Sequence, residues 1–504
     1  MSTFDGFVQE FPHIAIDYFR PRRASAPAVA AYFLSHVHSD HLQGLEDESF
    51  GGAFIYCSEA TCALLPKLQT KDARLKFAQQ LLPQRCYKYG HLQPHTGKQL
   101  LRALPMNTPI ALVVADETIQ VTLLDANHCP GACMFLLETT RSSVLYTGDL
   151  RAERHFTSFL KMQPVLLPYL TGIRPLESLY LDTSARPCGP VYASKMSGSA
   201  ACIKAMIQYP ESTHFILPAR CLGYEEFWVA AALALSTKIH VDDYTFKLFG
   251  AIRGSYVLGE TFCGAHGLLT LNPCEARLHV CTDQLVPCPY ALNAVYIKAV
   301  TSVTFRQQEM GNSQIEAETD HDGSITLHNF ARGETPVLLS EAKPDSATGG
   351  LPRSLIVEFA RHSSWPELMH FVSLFKTRRV VSCVGEVSHL FDSLTIPINE
   401  PYGVPSATVK SQVQEMEEAS QDLTIEDVEI CTPIKHESLS EVDQGETTVQ
   451  ATMAAHTRLS GHTAEQDPDV SFDLIERYKR YAVEGQWSES PRAKRQAACR
   501  DVYL

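Results

Sequence analysis

The chain has 504 residues, 45% of them hydrophobic, enough to bury at least two sizeable cores. A formal net charge of −14 by itself argues against a nucleic-acid protein. The charge is uneven, however: between Gly403 and Val470 fourteen Asp and Glu face three Lys and Arg, so the overall balance says little about a groove in the remainder.

The 15 Cys are odd in number and scattered. No basic-then-apolar leader opens the chain, and no apolar run is long enough to span a bilayer. These features predict a reducing, intracellular setting without membrane contact, in which paired Cys and His are tested as metal ligands before disulfides.

Taken in order, His13-Ile-Ala-Ile-Asp17 reads as a short strand delivering an Asp, which on these residues alone is an ordinary turn opener. The apolar run from Ala30 to Leu34 reads as a buried strand, followed by a loop carrying His36, His38, Asp40 and His41. Alternate side chains of an extended segment share a face, so His36 and His38 can grip one ion while Asp40 and His41 turn towards a second. Gly52 to Cys57 reads as a strand, and Ser58 as the N-cap of a helix running to Leu68. Between Gln120 and Leu137 two apolar strands flank a turn fixed by Pro130-Gly131, with His128 on it. Ser142 to Arg151 ends a strand with Asp149, and Leu176 to Ser184 repeats the layout with Asp182.

One theme recurs, an apolar strand with His or Asp at its C-terminal end, where a polar group can face a ligand. His36, His38 and His128 with Asp149 supply three imidazoles and a carboxylate for one ion. Asp40 and His41, with Asp149 bridging, supply a second. This donor set fits Zn²⁺ at the first site and Zn²⁺, Mg²⁺ or Mn²⁺ at the second.

The metal motifs stop near Pro187. Ser199 to Tyr209 and Gly223 to Leu235 read as helices, Lys238 to Val241 as a strand, and Asp320 to Leu351 as loop. Strand, helix and strand then resume at Ser354–Arg361, Ser364–Phe375 and Arg379–Val384. The expected organisation is a first domain over 1–186, an inserted domain over 187–350, a return of the first over 351–402 and an acidic, disordered tail over 403–504. Within the insert, His240, His279, Cys281 and Cys288 form a second set; His279-x-Cys281 can chelate on one strand face, and Cys274 lies near enough to compete as fourth ligand. The tail carries Ser411-Gln412 and Ser420-Gln421, an amphipathic helix pattern from Phe472 to Val483 suited to docking a partner, and the basic run Arg492-Ala-Lys-Arg.

The residues His36-x-His38-x-Asp40-His41, His128-Cys-Pro-Gly and Thr147-Gly-Asp149 resemble the metallo-β-lactamase fold, and Asp17, Asp182 and His362 match further motifs of its β-CASP nucleic-acid-processing branch. The resemblance covers about 1–402. It implies an α/β architecture, an αββα sandwich capped by an inserted α/β β-CASP domain, with the active site in the cleft between them. It implies that His362 is the general acid oriented by Asp182, that Asp17 supports a ligand His, and that His240, His279, Cys281 and Cys288 hold a structural Zn²⁺. Val384 occupies a position where RNA-cleaving members carry a ligand His, which points to DNA and to a more weakly held second ion.

The stretches Met1–Phe19 and Gly223-Tyr224-Glu225 are most similar to Artemis-type endonucleases, whereas Val121 to Gly131 is shared with Apollo-type 5′-exonucleases. The latter carry a Lys where Tyr224 stands, and Arg220 lies near enough to restore a phosphate contact. The implied function is a structure-selective DNA endonuclease, with 5′-exonuclease activity, for nuclear double-strand break repair by end joining. DNA would be its substrate, and DNA-dependent protein kinase and DNA ligase IV partners of the tail. The alternatives are a 5′-phosphate-dependent exonuclease of crosslink repair or telomere ends, and a non-catalytic repair scaffold.

Overall fold

In the computed structural model the described residues are 3–22, 25–92, 99–219, 222–252, 268–281, 288–301, 339–340 and 351–396. Arg220 and every expectation for the tail, including the Ser-Gln pairs, the Phe472–Val483 helix and the basic run, lie outside them.

Short apolar runs at the start of the chain form a parallel sheet in the order β1 (Ile14–Ile16), β2 (Ala31–Leu34), β3 (Phe54–Ser58) and β4 (Leu101–Leu104). Parallel neighbours need crossovers, and helices α1 (Glu59–Leu64) and α2 (Lys71–Ala78) lie between β3 and β4. Ser58 caps α1, its side chain accepting from the Thr61 N–H, as the sequence predicts. A second sheet follows, built from β5 (Ile110–Val114), β6 (Glu117–Asp125), β7 (Cys133–Glu138), β8 (Ser143–Tyr146) and β9 (Ser178–Leu181). It is antiparallel from β5 to β8 and parallel between β8 and β9.

The period of two along these strands sorts side chains into layers. On β7, Cys133, Phe135 and Leu137 join one core while Met134 and Leu136 join another. Ala31 and Phe33 of β2 meet that first core, and the rings of Phe33 and Phe135 pack edge to face at 5.2 Å. This is the sandwich interior between the two sheets. The outer face of the second sheet is covered by α3 (Arg154–Leu160), α4 (Leu167–Leu170) and a later helix, through Phe156, Tyr169 and Phe371. Because Leu136 is fully buried there, its truncation to Ala would cost about 2–5 kcal/mol.

The inserted lobe has helices α5 (Lys195–Met206), α6 (Glu225–Ala234) and α7 (Asp243–Phe249) around a third sheet. Its strands are β10 (Phe215–Ile216), β11 (Lys238–Val241), β12 (Leu269–Thr270), β13 (Ala276–Val280), β14 (Val295–Val300), β15 (Leu339–Ser340) and β16 (Ser354–Glu358). The order is β12-β11-β13-β10-β14-β16-β15, parallel except for β15 against β16. The first lobe then resumes with α8 (Trp365–Ser373) on the second sheet and β17 (Val380–Ser382) parallel to β9.

One boundary differs from expectation. The sequence places the return of the first lobe at 351, whereas β16 pairs along its length with β14 of the insert. The crossing therefore falls after Glu358, close to His362. A fully buried apolar run such as Ser354–Glu358 suits either sheet, so pattern alone does not assign it. No helix among the described residues is long and apolar enough to cross a membrane.

Candidate metal centre and active site

Seven polar side chains follow closely on strand ends: Asp17 after β1, His36 and His38 after β2, His128 after β6, Asp149 after β8, Asp182 after β9 and His362 after β16. A 3-10 turn over Ser39–His41 rotates Asp40 and His41 away from the line of His36 and His38. Gly148 lets the β8 loop fold tightly over β2. Its φ is +54°, and an added Cβ would stand 2.8 Å from Cβ of Ser35.

Four donor atoms converge. His38 Nδ1 lies 3.0 Å from both His36 Nε2 and His128 Nε2, and each of those Nε2 atoms lies 3.4 Å from Asp149 Oδ2. A tetrahedral ion with ligand bonds of about 2.0–2.1 Å requires donor separations of about 3.3 Å, so the group fits a cation of zinc size. The other carboxylate oxygen, Asp149 Oδ1, lies 3.1 Å from His41 Nε2, which is 3.8 Å from Asp40 Oδ2. Apart from that approach to Asp149, His41 Nε2 is buried with no hydrogen bond of regular geometry among the described residues. An orphaned buried nitrogen is costly in an apolar site and is satisfied by a cation held with Asp40 and Asp149. Asp149 thus faces two sites with its two oxygens.

Hydrogen bonds from the outer nitrogens fix each ligand's tautomer. His41 Nδ1 donates to Asp17 Oδ2 at 2.8 Å, and His128 Nδ1 to the Arg361 carbonyl at 2.9 Å. His38 Nε2 donates to the Leu222 carbonyl at 3.2 Å. His36 Nδ1 donates to Ser35 Oγ at 2.9 Å, and that hydroxyl donates onward to Asp17 Oδ2 at 2.6 Å. Asp17 also accepts from the Ser35 N–H at 2.7 Å and the Tyr146 hydroxyl at 2.9 Å. It is therefore more than a turn opener, although its φ of +56° is a turn conformation.

Electrostatics set the protonation states that a cation meets in the empty protein, and they differ between the three imidazoles and His41. Burial lowers the His36 pKa, and lowers those of His38 and His128 well below the ordinary imidazole value, so all three stay neutral. Burial would raise Asp149, but His41, His128 and His36 outweigh it and hold the carboxyl well below the usual range. Burial would lower His41, yet Asp149 and Asp17 raise it well above normal.

His362 stands beside this group, its Nε2 3.8 Å from Asp149 Oδ2 and its Nδ1 donating to Asp182 Oδ2 at 2.9 Å. Burial acts to lower its pKa but Asp182 outweighs it, so the net shift is upward. Asp182 is held in turn by the N–H groups of Leu150 at 2.9 Å and Ser184 at 3.0 Å. His362 lies outside α8, which begins after a capping box between Ser364 and Glu367.

Other anticipated residues sit elsewhere. Val384 is half-buried and pairs through its backbone with Thr183, with N–H to Oγ1 at 3.1 Å and Oγ1 to the carbonyl at 2.6 Å. The Tyr224 ring packs on Phe359 at 5.6 Å and beneath the Arg361 guanidinium at 5.3 Å.

In the insert, His240 Nδ1 lies 3.2 Å from His279 Nδ1, 3.3 Å from Cys281 Sγ and 3.9 Å from Cys288 Sγ, with Cys288 Sγ 3.3 Å from His279 Nδ1. Of these four, His240, Cys281 and Cys288 converge as a group that could hold a cation, while His279 stands beside two of them with its Nε2 2.9 Å from His214 Nδ1. Cys274 is exposed, its sulfur accepting from the Tyr290 hydroxyl at 3.7 Å, and does not join the group of His240, Cys281 and Cys288.

Sequence reasoning missed several supporting groups. Arg151, fully buried, donates to the His362 carbonyl at 3.1 Å and to Glu367 at 2.7 Å; its place two residues past Asp149 in an apolar stretch was the available signal. Lys195, also buried, reaches across to the Asn127 carbonyl at 3.1 Å, next to His128. Glu225 accepts from the Gly223 N–H at 2.6 Å, and burial pushes its carboxyl up to about 7.

Three imidazoles and a carboxylate at strand ends could hold a metal ion, with an imidazole–carboxylate pair alongside, the arrangement of a metal-dependent hydrolytic centre. No family model matches the chain. It is similar to protein artemis of Rattus norvegicus, 29% identical over 263 residues, which is 48% of this chain and 33% of that protein. It is 34% identical over 240 residues to 5′ exonuclease Apollo of Rattus norvegicus, covering 47% and 37% of the two chains. Against the DNA cross-link repair protein pso2/snm1 of Schizosaccharomyces pombe it is 29% identical over 262 residues, covering 50% and 38%. The matched region spans little more than a third of each relative's length. Its relatives over about half of the chain are metallo-β-lactamase/β-CASP nucleases.

Proposed function

We propose that the protein is a metal-dependent, structure-selective DNA endonuclease that opens hairpins and trims overhangs, with 5′-exonuclease activity, in nuclear double-strand break repair by non-homologous end joining. The observation that carries the reading is Asp149, which turns Oδ2 to three imidazoles and Oδ1 to His41. In this reading His36, His38, His128 and Asp149 hold Zn²⁺, while Asp40, His41 and Asp149 hold Zn²⁺, Mg²⁺ or Mn²⁺. Two such cations supply Lewis acidity towards a phosphodiester and an acidified water in line with the leaving oxygen.

The chain's own residues do the rest. Asp17 keeps the His41 proton on Nδ1 and leaves Nε2 free for the second site. His362, charged through its bond to Asp182, is placed to give a proton to the departing 3′-oxygen. Asp182 holds that imidazole in place, and Arg151 fixes the backbone of His362. Arg220, Tyr224 and Val384 are proposed to act towards substrate, Tyr224 indirectly by seating Arg361. His240, His279, Cys281 and Cys288 are assigned a structural Zn²⁺. DNA-dependent protein kinase and DNA ligase IV are proposed partners of 403–504.

The 34% identity to 5′ exonuclease Apollo favours a second reading, a 5′-phosphate-dependent exonuclease of crosslink repair or telomere ends. A 3′-labelled DNA hairpin and a matched 5′-phosphorylated duplex separate the two. Cuts at or near the hairpin tip support the endonuclease; stepwise digestion only from the phosphorylated end supports the exonuclease. Cleavage of neither leaves a scaffold.

A further inference from the structure

Two thiols meet at the junction of β3 and α1. Cys57, near the end of the strand, is fully buried, and Cys62, in the helix, is half-buried. The step through Ser58 folds Cys62 back on Cys57, and the two side chains share a hydrogen bond. That bond lowers the Cys62 pKa, with Arg102 of β4 adding to it and burial and Glu59 opposing; the same bond and burial raise Cys57 well above the ordinary thiol value. A partly exposed thiol that ionises readily, beside a buried partner that stays protonated, is the arrangement in which a peroxide attacks one sulfur and the other resolves it. The residues between the two thiols also hold the turn that carries His128. Ser58 Oγ donates to the Gly131 carbonyl at 2.7 Å, and Thr61 Oγ1 to the same oxygen at 3.0 Å. The contact is tight: Gly131 has a φ of +83°, and an added Cβ would stand 2.8 Å from the Thr61 nitrogen.

We propose that Cys57 and Cys62 close a reversible disulfide with hydrogen peroxide as oxidant, and that closing it weakens cation binding by the group that contains His128. The Cys62 thiolate attacks one peroxide oxygen and breaks the O–O bond, becoming a sulfenic acid; the other oxygen leaves as hydroxide and takes up the proton that Cys62 gave off. Cys57 then attacks the sulfenic sulfur, the S–S bond forms, and the sulfenic oxygen leaves as water with the Cys57 proton. Two thiols are oxidised and one peroxide is reduced to two waters. An S–S bond of about 2.05 Å draws the sulfurs closer than a hydrogen bond does, so Thr61 moves with Cys62 and both donors to the Gly131 carbonyl are disturbed. The effect on cation binding rests on the metal-centre reading; the disulfide itself does not.

The test treats the full Zn²⁺-loaded chain with hydrogen peroxide and maps its tryptic peptides by mass spectrometry without reduction. No Lys or Arg stands between Arg23 and Lys67, so both sulfurs fall in one peptide, 24–67. The expected product is that peptide short of two hydrogens, restored by dithiothreitol. Chelator competition on the same samples should show the three-imidazole group losing about 10–100-fold in Zn²⁺ affinity on oxidation and regaining it on reduction. Cys62→Ser and Cys62→Ala should hold the reduced affinity before and after peroxide. A Cys62 sulfinic acid with no disulfide, or a Cys57–Cys133 crosslink, overturns the pair, and needs no variant to be seen. An equal loss of affinity in wild type and in the Cys62 variants assigns the loss to other thiols and overturns the coupling. Hairpin DNA cleavage by the reduced chain is scored in parallel: no cleavage removes the nuclease reading, while the peptide map decides the disulfide on its own.

Discussion

The carbonyl of Leu222 accepts a hydrogen bond from His38 Nε2 at 3.2 Å, so the inserted lobe selects which nitrogen of a first-lobe imidazole faces the cation. The same carbonyl takes the Arg361 guanidinium at 3.0 Å, and the Arg361 carbonyl takes His128. Two ligands are therefore oriented by backbone outside the sheet that carries them.

Gly223 makes that contact possible. Its φ is +115°, and an added Cβ would stand 2.7 Å from Cδ of Arg361 and 2.9 Å from the His128 carbonyl. Gly223→Ala should lower affinity at the His36, His38, His128 and Asp149 group by about 10–100-fold, the usual effect of disturbing an outer contact to a ligand. Chelator competition measures this, with circular dichroism to check folding. Unaltered affinity in a folded variant contradicts the coupling.

Asp17 acts on the other site. Asp17→Asn removes the anion that holds the His41 proton on Nδ1, so affinity at the His41 side should fall by about 10–100-fold while the three-imidazole group keeps its cation. Activation curves with Mn²⁺ should shift to higher concentration and recover at saturation. A curve that does not move refutes the role given to Asp17.

The two sites should differ in their response to pH. Without a cation His41 is protonated to well above its ordinary pKa, so an ion binding its Nε2 must displace that proton. Affinity at the second site should rise about tenfold per pH unit below the raised pKa and level off above it. His36, His38 and His128 are already neutral near pH 7, and the first site should show little dependence there. Isothermal titration in buffers of different ionisation enthalpy counts the released protons; equal proton release at both sites opposes this assignment.

As the proposed general acid, His362 should set the alkaline limb of the rate. Its acid form exists below its raised pKa, so the chemical step should slow as pH climbs through that value. His362→Ala should reduce kcat by about 10²–10⁴-fold and abolish the limb without loss of bound metal. Asp182→Asn should move the limb to lower pH, since the largest group raising His362 is gone. A variant with the same limb as wild type excludes His362 as the acid.

The strand-end pattern made most of the site legible. His36, His38, Asp40, His41, His128 and Asp149 all sit just past the end of an apolar run, and that signal is local. Asp17 was less readable because its value lies in Ser35, His41 and Tyr146, which only the pairing of β1 with β2 and the second sheet brings to it. The Leu222 and Arg361 carbonyls leave no trace in side-chain identity at all. The strands themselves follow from their apolar runs, whereas the sequence places Ser354–Arg361 in the returning domain although β16 pairs with β14, because a strand buried on both faces carries no mark of its neighbours. Short strands such as β10 and β12 have two residues each, too few to show any period.

The most direct test of the central claim is phosphodiester cleavage by metal-loaded wild type and Asp40→Ala, with bound metal counted in the same samples. The predicted result is cleavage of hairpin DNA by wild type and its loss in Asp40→Ala, together with loss of the cation on the His41 side while the three-imidazole cation remains. Cleavage by Asp40→Ala at the wild-type rate, or a wild type that binds both cations and cuts no DNA, would contradict it.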